Sequence, residues 1–374
     1  MEGNAANRCA HRPRARRDKE PKQQERKARN TSTNKKRKHP DAAAAAATAG
    51  APSAPAAELV PRHYTVSIAV AGSIVLNAQS PELRTYLIGE IARAAAIFQV
   101  DEIVVFADAS GAGASYNWGD PNLFFGRLLQ YIETPQYLRK AIFPHHSDLR
   151  FAGLLNPLDA PHHPRAHEQM VYREGVTVDT PASISGGSLV NVGLRNYIHL
   201  DRRLKPGVRV TVKMTSAASS SGSSRKHQAS PQQEMEGVAV SPEAPRETHG
   251  LYWGYTTRLA KSLTEVFAGS PYKEGYDLTV GTSERGHQSI DDEDFALPAF
   301  RHLLVVFGGV AGLEACVEAA EDLDLPAGKT HTLFDKWLNV CPDQGSRTIR
   351  TEEAVPITMA RLRPFIVKSG RREK

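Results

Sequence analysis

A chain of 374 residues with 40% apolar content can bury a sizeable core and is long enough for two or three domains. No run of eighteen apolar residues occurs and no apolar block follows the basic first thirty residues, which argues against membrane insertion and secretion. Cys9, Cys316 and Cys341 stand far apart without Cys-x-x-Cys spacing, so neither a disulfide framework nor a zinc ribbon is indicated and a reducing compartment fits.

The net charge of +6 is unevenly spread. Residues 1–40 hold 14 Lys and Arg against 4 Asp and Glu, leaving 33 basic and 37 acidic residues from position 41 onward, a net of −4. A tail of this kind attracts polyphosphate without reading sequence, and Lys35-Lys36-Arg37-Lys38 followed by Pro40 has the form of a nuclear import signal. Asp18, Glu20 and Glu25 interrupt the positive face that a mitochondrial presequence requires. Ala42 to Ala57 is a low-complexity Ala/Pro linker, so residues 1–60 are expected to form a disordered basic tail and linker.

Order is expected from Pro61. Tyr64 to Val70 reads as a strand, Glu82 to Phe98 as a helix and Ile103 to Phe106 as a strand buried on both faces, together a βαβ unit. A Gly-, Ser- and Asn-rich stretch follows at 109–122, then helices over Leu123 to Ile132 and Pro135 to Ile142. Residues 61–166 thus make the first part of an α/β domain. Beyond it come five short strand-like pieces, Met170 to Arg173, Gly175 to Val178, Leu189 to Val192, Tyr197 to Leu200 and Val208 to Lys213, which suggest a small oligonucleotide-binding barrel inserted over 167–250. The Ser-rich segment 215–247 is expected to be a disordered loop of it. Helical periodicity resumes at Tyr255 to Phe267. Strands at Tyr276 to Val280, Leu303 to Phe307 and Lys336 to Val340 alternate with helices at Ala311 to Ala320 and Thr351 to Leu362, giving a second α/β part over 251–366 and a basic end at 367–374.

The second part carries the chemistry. Three glycine-containing loops follow three successive strands: Gly281-Thr282-Ser283-Glu284-Arg285-Gly286; Phe307-Gly308-Gly309-Val310-Ala311-Gly312-Leu313-Glu314; and the run from Asn339 through Cys341, Gln344, Gly345, Ser346, Thr348, Ile349, Arg350 and Thr351 to Glu353. Ligands of open α/β sheets bind beyond the carboxyl ends of the strands, where glycines let main-chain amides and carbonyls approach. A single such loop is more often simply a turn, but three in succession point to a ligand held largely by backbone atoms, such as an adenine. No Gly-Lys-Ser/Thr follows the glycines and no Gly-x-Gly-x-x-Gly follows a first strand, so ATP hydrolysis and dinucleotide redox chemistry lose support. Ser346, Thr348 and Thr351 can supply hydroxyls, although Thr351 can equally cap the last helix with Glu352 and Glu353 in its first turn.

These loops resemble the signatures of the SPOUT-class RNA methyltransferases of eukaryotes and archaea, and so do Pro81 to Leu87, Val100 to Phe106 and Gly153 to His163; the resemblance spans Pro61 to Phe365. It implies an α/β, trefoil-knotted SPOUT domain split in sequence by an inserted OB-like β-barrel. It also implies a homodimer with the active site at its interface, and RNA, ribosomal RNA first, as partner. The cofactor implied is S-adenosylmethionine, held by Thr282, Ser283 and Gly286 of the first loop, Phe307, Gly308, Gly309 and Leu313 of the second, and Asn339, Cys341, Gln344, Gly345, Ser346, Thr348, Ile349, Thr351 and Glu353 of the third. A uridine nitrogen is the favoured acceptor; a non-catalytic RNA-binding or chromosome- or spindle-associated scaffold that retains the knot is the alternative.

Transfer to a ring nitrogen needs an in-line approach and a lone pair made available by deprotonation. Glu284 is then the candidate proton acceptor, and Arg285 and Arg350 the candidates for orienting the substrate or stabilising a deprotonated ring. Either arginine can instead bind phosphate, or pair with Glu353. Attack through a pyrimidine carbon would need a thiolate, and Cys341 alone lies in a cofactor loop, where a small tolerated residue is the simpler reading. His145, His146, His162, His163 and His167 cluster without cysteine partners, so no metal site is expected. Trp253 and Tyr255 can stack on bases, but core packing suits them better.

Overall fold

A computed structural model of the chain describes residues 59–108, 119–181, 187–215, 235–309, 311–318, 320 and 323–371. The tail, the Ala/Pro linker, most of the glycine-rich stretch after Phe106 and the core of the Ser-rich segment lie outside the described residues.

Seven strands form one sheet. In chain order they are β1 (Thr65–Ala71), β2 (Glu102–Phe106), β8 (Thr256–Ala260), β9 (Leu278–Thr282), β10 (Gln288–Ser289), β11 (His302–Phe307) and β12 (Lys336–Asn339), and they lie in the order β10-β12-β9-β11-β1-β2-β8. Every pairing is parallel. All residues of β1 and β2 are buried, which is why these strands read as continuous apolar runs. Because the strands are parallel, their carboxyl ends share one edge. Because β12, β9 and β11 are consecutive in the sheet, the three glycine loops emerge side by side.

Helices start where the sequence supplies caps. Helix α1 (Pro81–Ile97) has Pro81 in its first turn, and the Leu83 amide donates to Ser80 Oγ at 3.3 Å. Helix α2 (Pro121–Glu133) repeats the device with Pro121 and Asp120, whose carboxylate accepts from the Asn122 amide at 2.7 Å. Helix α3 (Gln136–Ile142) follows. The last helix, α7 (Thr351–Gly370), runs through Pro364 two turns beyond the stretch that periodicity suggests, and packs on α1.

Between α3 and β8 the chain closes a five-stranded barrel, β3 (Tyr172–Pro181), β4 (Ser188–Asn191), β5 (Ile198–Leu200), β6 (Arg209–Thr215) and β7 (Met235–Val240), in the order β3-β4-β5-β7-β6. Its small core is Val190, Val192, Ile198, Leu200 and Val212. Three sequence expectations are corrected here. The pieces Met170 to Arg173 and Gly175 to Val178 belong to one strand. The fifth strand is β7, which lies inside the span 215–247 expected to be disordered and is followed there by helix α4 (Ala244–His249); β7 has Gly237 buried at its centre and no alternation to announce it. Finally, Tyr255 to Phe267 is not one helix. It is strand β8 followed by the short helix α5 (Leu263–Ala268), because extending the sheet beside β2 outweighs a weak helical pattern.

The barrel is fastened to the α/β domain by a buried polar network. Arg209 of β6 donates to both oxygens of Glu133 at the end of α2, at 2.6 and 2.9 Å, and through Nε to Glu174 of β3 at 2.6 Å. Glu174 also accepts from Trp253 Nε1 at 2.6 Å and from Thr211 Oγ1 at 2.5 Å. Burial alone would raise the Glu133 carboxyl, but Arg209 and His162 outweigh it and hold the group far below the ordinary carboxylate range. Trp253 and Tyr255 are buried, with the Tyr255 hydroxyl bonded to the Leu129 carbonyl at 3.1 Å, so both are packing residues.

Candidate active site

The three glycine loops enclose a cavity of about 260 Å³ at the carboxyl edge of β9, β11 and β12. Thr282, Ser283, Glu284 and Arg285 come from the first loop, Phe307, Gly308, Gly309, Ala311, Gly312 and Glu314 from the second, and Asn339, Val340, Cys341, Gln344, Thr348 and Ile349 from the third. Thr351, Ala354 and Thr358 of α7 close it. Helix α6 (Gly312–Glu318) begins at its wall.

Hydrogen bonds fix the loops to one another. Thr282 Oγ1 donates to the Val306 carbonyl at 3.0 Å, Asn339 Nδ2 to the Glu284 carbonyl at 3.1 Å, and Thr351 Oγ1 to the Gly308 carbonyl at 3.0 Å. Ser283 Oγ donates to Glu314 at 3.0 Å. Gly308 is required by close approach: a Cβ there would lie 2.4 Å from the main chain of Gly312 and Leu313. Gly312 itself has φ +86°, the left-handed region that starts the turn into α6.

Six residues expected at the site line no part of the cavity. Leu313 is wholly buried in the core, and Gly286 packs on the main chain of Leu338 and Asn339. Ser346 Oγ is turned to the Thr348 carbonyl at 2.8 Å, while a Cβ on Gly345 would meet nothing within 4 Å. Glu353 accepts from the Arg350 amide at 3.0 Å, and the Arg350 side chain pairs with Glu352 at 2.5 Å, so the capping expected of Thr351 falls to Glu353. Glu284 and Arg285 remain on the exposed lip. Conversely, Ala311, Gly312, Glu314, Val340, Ala354 and Thr358 line the cavity unexpected. The signal for two of them was available: Ala354 and Thr358 follow Thr351 at i+3 and i+7, on one helix face.

The cysteines and histidines have quieter roles. Burial pushes the Cys316 thiol up to about 12, and it donates to the Gly312 carbonyl, which makes it a packing group of α6. His162 and His163 both bond to the Glu133 carbonyl, at 3.0 and 2.6 Å, and so belong to the barrel junction; among the described residues no group of three His, Cys, Asp or Glu is arranged to hold a metal.

The cavity fits an adenosine-bearing group. Its walls combine main chain with the apolar side chains of Phe307, Val340 and Ile349, and Thr358 Oγ1 at its edge is buried without a hydrogen-bond partner. A flat ring with a polar rim satisfies such a lining.

A parallel α/β sheet with a cavity walled by three glycine loops at its carboxyl edge, and a closed five-stranded barrel inserted in the chain, defines the class of α/β enzymes that hold a ligand beyond the strand ends. Residues 65–362 match the family model described as "Putative RNA methyltransferase", and the chain belongs to that family. It is 50% identical over 322 residues to the "28S rRNA (uridine-N(3))-methyltransferase" of Homo sapiens, covering 83% of this chain and 81% of that protein. It is 47% identical over 317 residues to the protein of the same name from Drosophila melanogaster, covering 81% and 62%, and 35% identical over 321 residues to "Putative methyltransferase spot-1" of Caenorhabditis elegans, covering 80% of each. The solved structure of the SpoU methyltransferase AviRb from Streptomyces viridochromogenes aligns over 83% of this chain and 62% of its own at 12% identity and a TM-score of 0.30, too distant to add to the fold derived above. The resemblance drawn from the sequence is therefore borne out at the level of the family, and the chain is an RNA methyltransferase.

Proposed function

We propose that this chain uses S-adenosylmethionine to methylate N3 of a uridine in ribosomal RNA. The observation that carries the reading is the cavity formed by three glycine loops from adjacent strands, in a chain half identical over most of its length to relatives named for that reaction. The group supplies an electrophilic methyl when bound. The protein's part is to hold it by main-chain contacts from Gly308, Gly309 and the third loop, to keep Phe307, Val340 and Ile349 against its apolar faces, and to exclude water from the transfer. A scaffold has no need of such a cavity.

RNA contact is supported by the barrel, on which Arg195, Tyr197, Arg202, Arg203 and Lys205 are exposed, a basic surface with an aromatic ring available for stacking. Homodimerisation is supported by Leu83 and Tyr86, exposed one turn apart on α1, the helix packed against α7. The family resemblance supports a trefoil knot in the C-terminal half. Lys35 to Lys38 in a tail of net +10 supports nuclear residence.

The test is calorimetric titration with S-adenosylmethionine and S-adenosylhomocysteine, followed by methylation of rRNA transcripts and detection of N3-methyluridine by mass spectrometry. Micromolar binding, lost in Gly309→Arg, together with N3-methyluridine in the product, is expected. A folded protein that binds neither compound at millimolar concentration sinks the reading.

A further inference from the structure

Among the described residues, buried carboxylates face cations with one exception. Glu102 pairs with Arg258 at 2.9 Å, Glu133 and Glu174 with Arg209, and Glu352 with Arg350. Asp108, only 8% exposed, has no such partner among the described residues; it accepts a hydrogen bond from Ser73 Oγ at 2.6 Å. A buried carboxylate held by one hydroxyl and facing no cation calls for a role beyond packing.

Its place in the fold says which chemistry. Ser73 lies two residues beyond the end of β1 and Asp108 two beyond the end of β2, on the same carboxyl edge as the cavity, and β1 is the neighbour of β11. The pair rests on Gly309, a cavity-wall residue: a Cβ there would come within 2.9 Å of Asp108 Oδ2 and 3.2 Å of Ser73 Oγ. A second observation falls at Gly72, the chain neighbour of Ser73. The side-chain amide of Asn122, at the start of α2, is pressed on Gly72, and its Oδ1 is buried with no hydrogen-bond partner. Cys316, held as a thiol, lies within electrostatic reach of Asp108, and Glu314, which also reaches Cys316, is bonded to Ser283.

We propose that the uracil to be methylated is bound on the β1/β2 side of Gly309, with Asp108 as the acceptor of its N3 proton, Ser73 as the residue that orients the carboxylate, and the Asn122 amide as a partner for a uracil carbonyl. This rests on the functional reading above. The N3–H bond breaks and its proton passes to Asp108. The freed N3 lone pair forms the N–CH3 bond as the methyl–sulfur bond breaks, and that electron pair stays on sulfur, cancelling its positive charge. An amide can present its NH2 to the carbonyl once rotated, since its two ends have the same shape.

The experiment uses the full chain with an rRNA transcript. Asp108→Asn is expected to bind S-adenosylhomocysteine by calorimetry, and RNA by filter binding, within about twofold of the parent. Its single-turnover rate near neutral pH is expected to fall by about a hundredfold or more. The residual rate climbs tenfold per pH unit, as hydroxide replaces the lost base, and a transcript carrying 5-fluorouridine, whose N3–H is more acidic, restores the variant more than the parent. Ser73→Ala, which keeps the carboxylate but frees it, is expected to lose about tenfold and covers the case in which Asp108→Asn fails to fold. An unimpaired Asp108→Asn overturns the proposal alone. So does a loss that is flat with pH and blind to fluorination, which would make Asp108 a prop for Gly309. A parent protein that binds S-adenosylhomocysteine but methylates no uridine overturns the functional reading, and this proposal with it.

Discussion

The hydroxyl of Thr351 donates to the carbonyl of Gly308 at 3.0 Å, tying the first turn of α7 to the glycine loop that follows β11. Two walls of the cavity are thereby held at a fixed separation by one side chain. Thr351→Val keeps the shape and removes the donor. A neutral hydrogen bond of this kind contributes about 1 kcal/mol, so S-adenosylhomocysteine should bind about fivefold more weakly by calorimetry, with a small fall in Tm. Unchanged affinity would show that the wall spacing is set elsewhere.

Glycines 308 and 345 both belong to the loops, but only the first is hemmed in. A Cβ at 308 would sit 2.4 Å from main-chain atoms of Gly312 and Leu313, which have no flexible end to move aside, whereas one at 345 meets nothing within 4 Å. Gly308→Ala is expected to abolish detectable S-adenosylhomocysteine binding. Gly345→Ala should bind within about twofold of the parent and melt within a degree or so, as surface changes usually do. Equal effects in the two variants would mean that loop flexibility, not close approach, explains these glycines.

Much of this was legible in the sequence where local signals and tertiary demands agree. The apolar runs of β1 and β2 and the Ser80-Pro81 and Asp120-Pro121 starts of α1 and α2 are readable because burial and capping act on neighbouring residues. Strand β8 was not, because it lies at the sheet edge, with Leu259 exposed and no alternation along Thr256–Ala260. Strand β7 was hidden by its Ser-rich approach and by the buried Gly237. In the site, the loops and most of the residues that line the cavity could be read off, but not the contacts between loops. Ser283 meets Glu314, and Ser73 meets Asp108, only because β9, β11, β1 and β2 end on a common edge, which no spacing in the chain encodes.

His163 is held neutral in the barrel junction. Burial first, then the neighbouring His162, pushes its pKa down to about 3 from the ordinary 6.5. The unfolded chain therefore binds a proton that the folded one refuses between those two values, so stability present above pH about 6.5 is lost as the pH falls towards 3. His163→Gln, which can still donate towards the Glu133 carbonyl that His163 reaches at 2.6 Å, should flatten the dependence of the urea midpoint on pH over this window. A slope equal to that of the parent would assign the acid lability to other groups.

Arg209 holds two buried carboxylates from different parts of the fold, Glu133 at the end of α2 and Glu174 in β3, and so decides how firmly the barrel sits. Arg209→Met removes the cation and keeps the apolar length, leaving Glu174 without a cation and Glu133 with His162 alone. Breaking a buried pair in this way costs about 3–5 kcal/mol, and here one substitution breaks two. Chemical denaturation should show a loss of at least that size, and RNA binding should suffer more than S-adenosylhomocysteine binding, since the network lies at the barrel junction and shares no residue with the cofactor loops. Adding Glu133→Gln and Glu174→Gln to Arg209→Met removes the stranded charges and should recover part of the loss. If the triple variant is no more stable than Arg209→Met alone, the cost lay in lost hydrogen-bond geometry and not in unpaired charge.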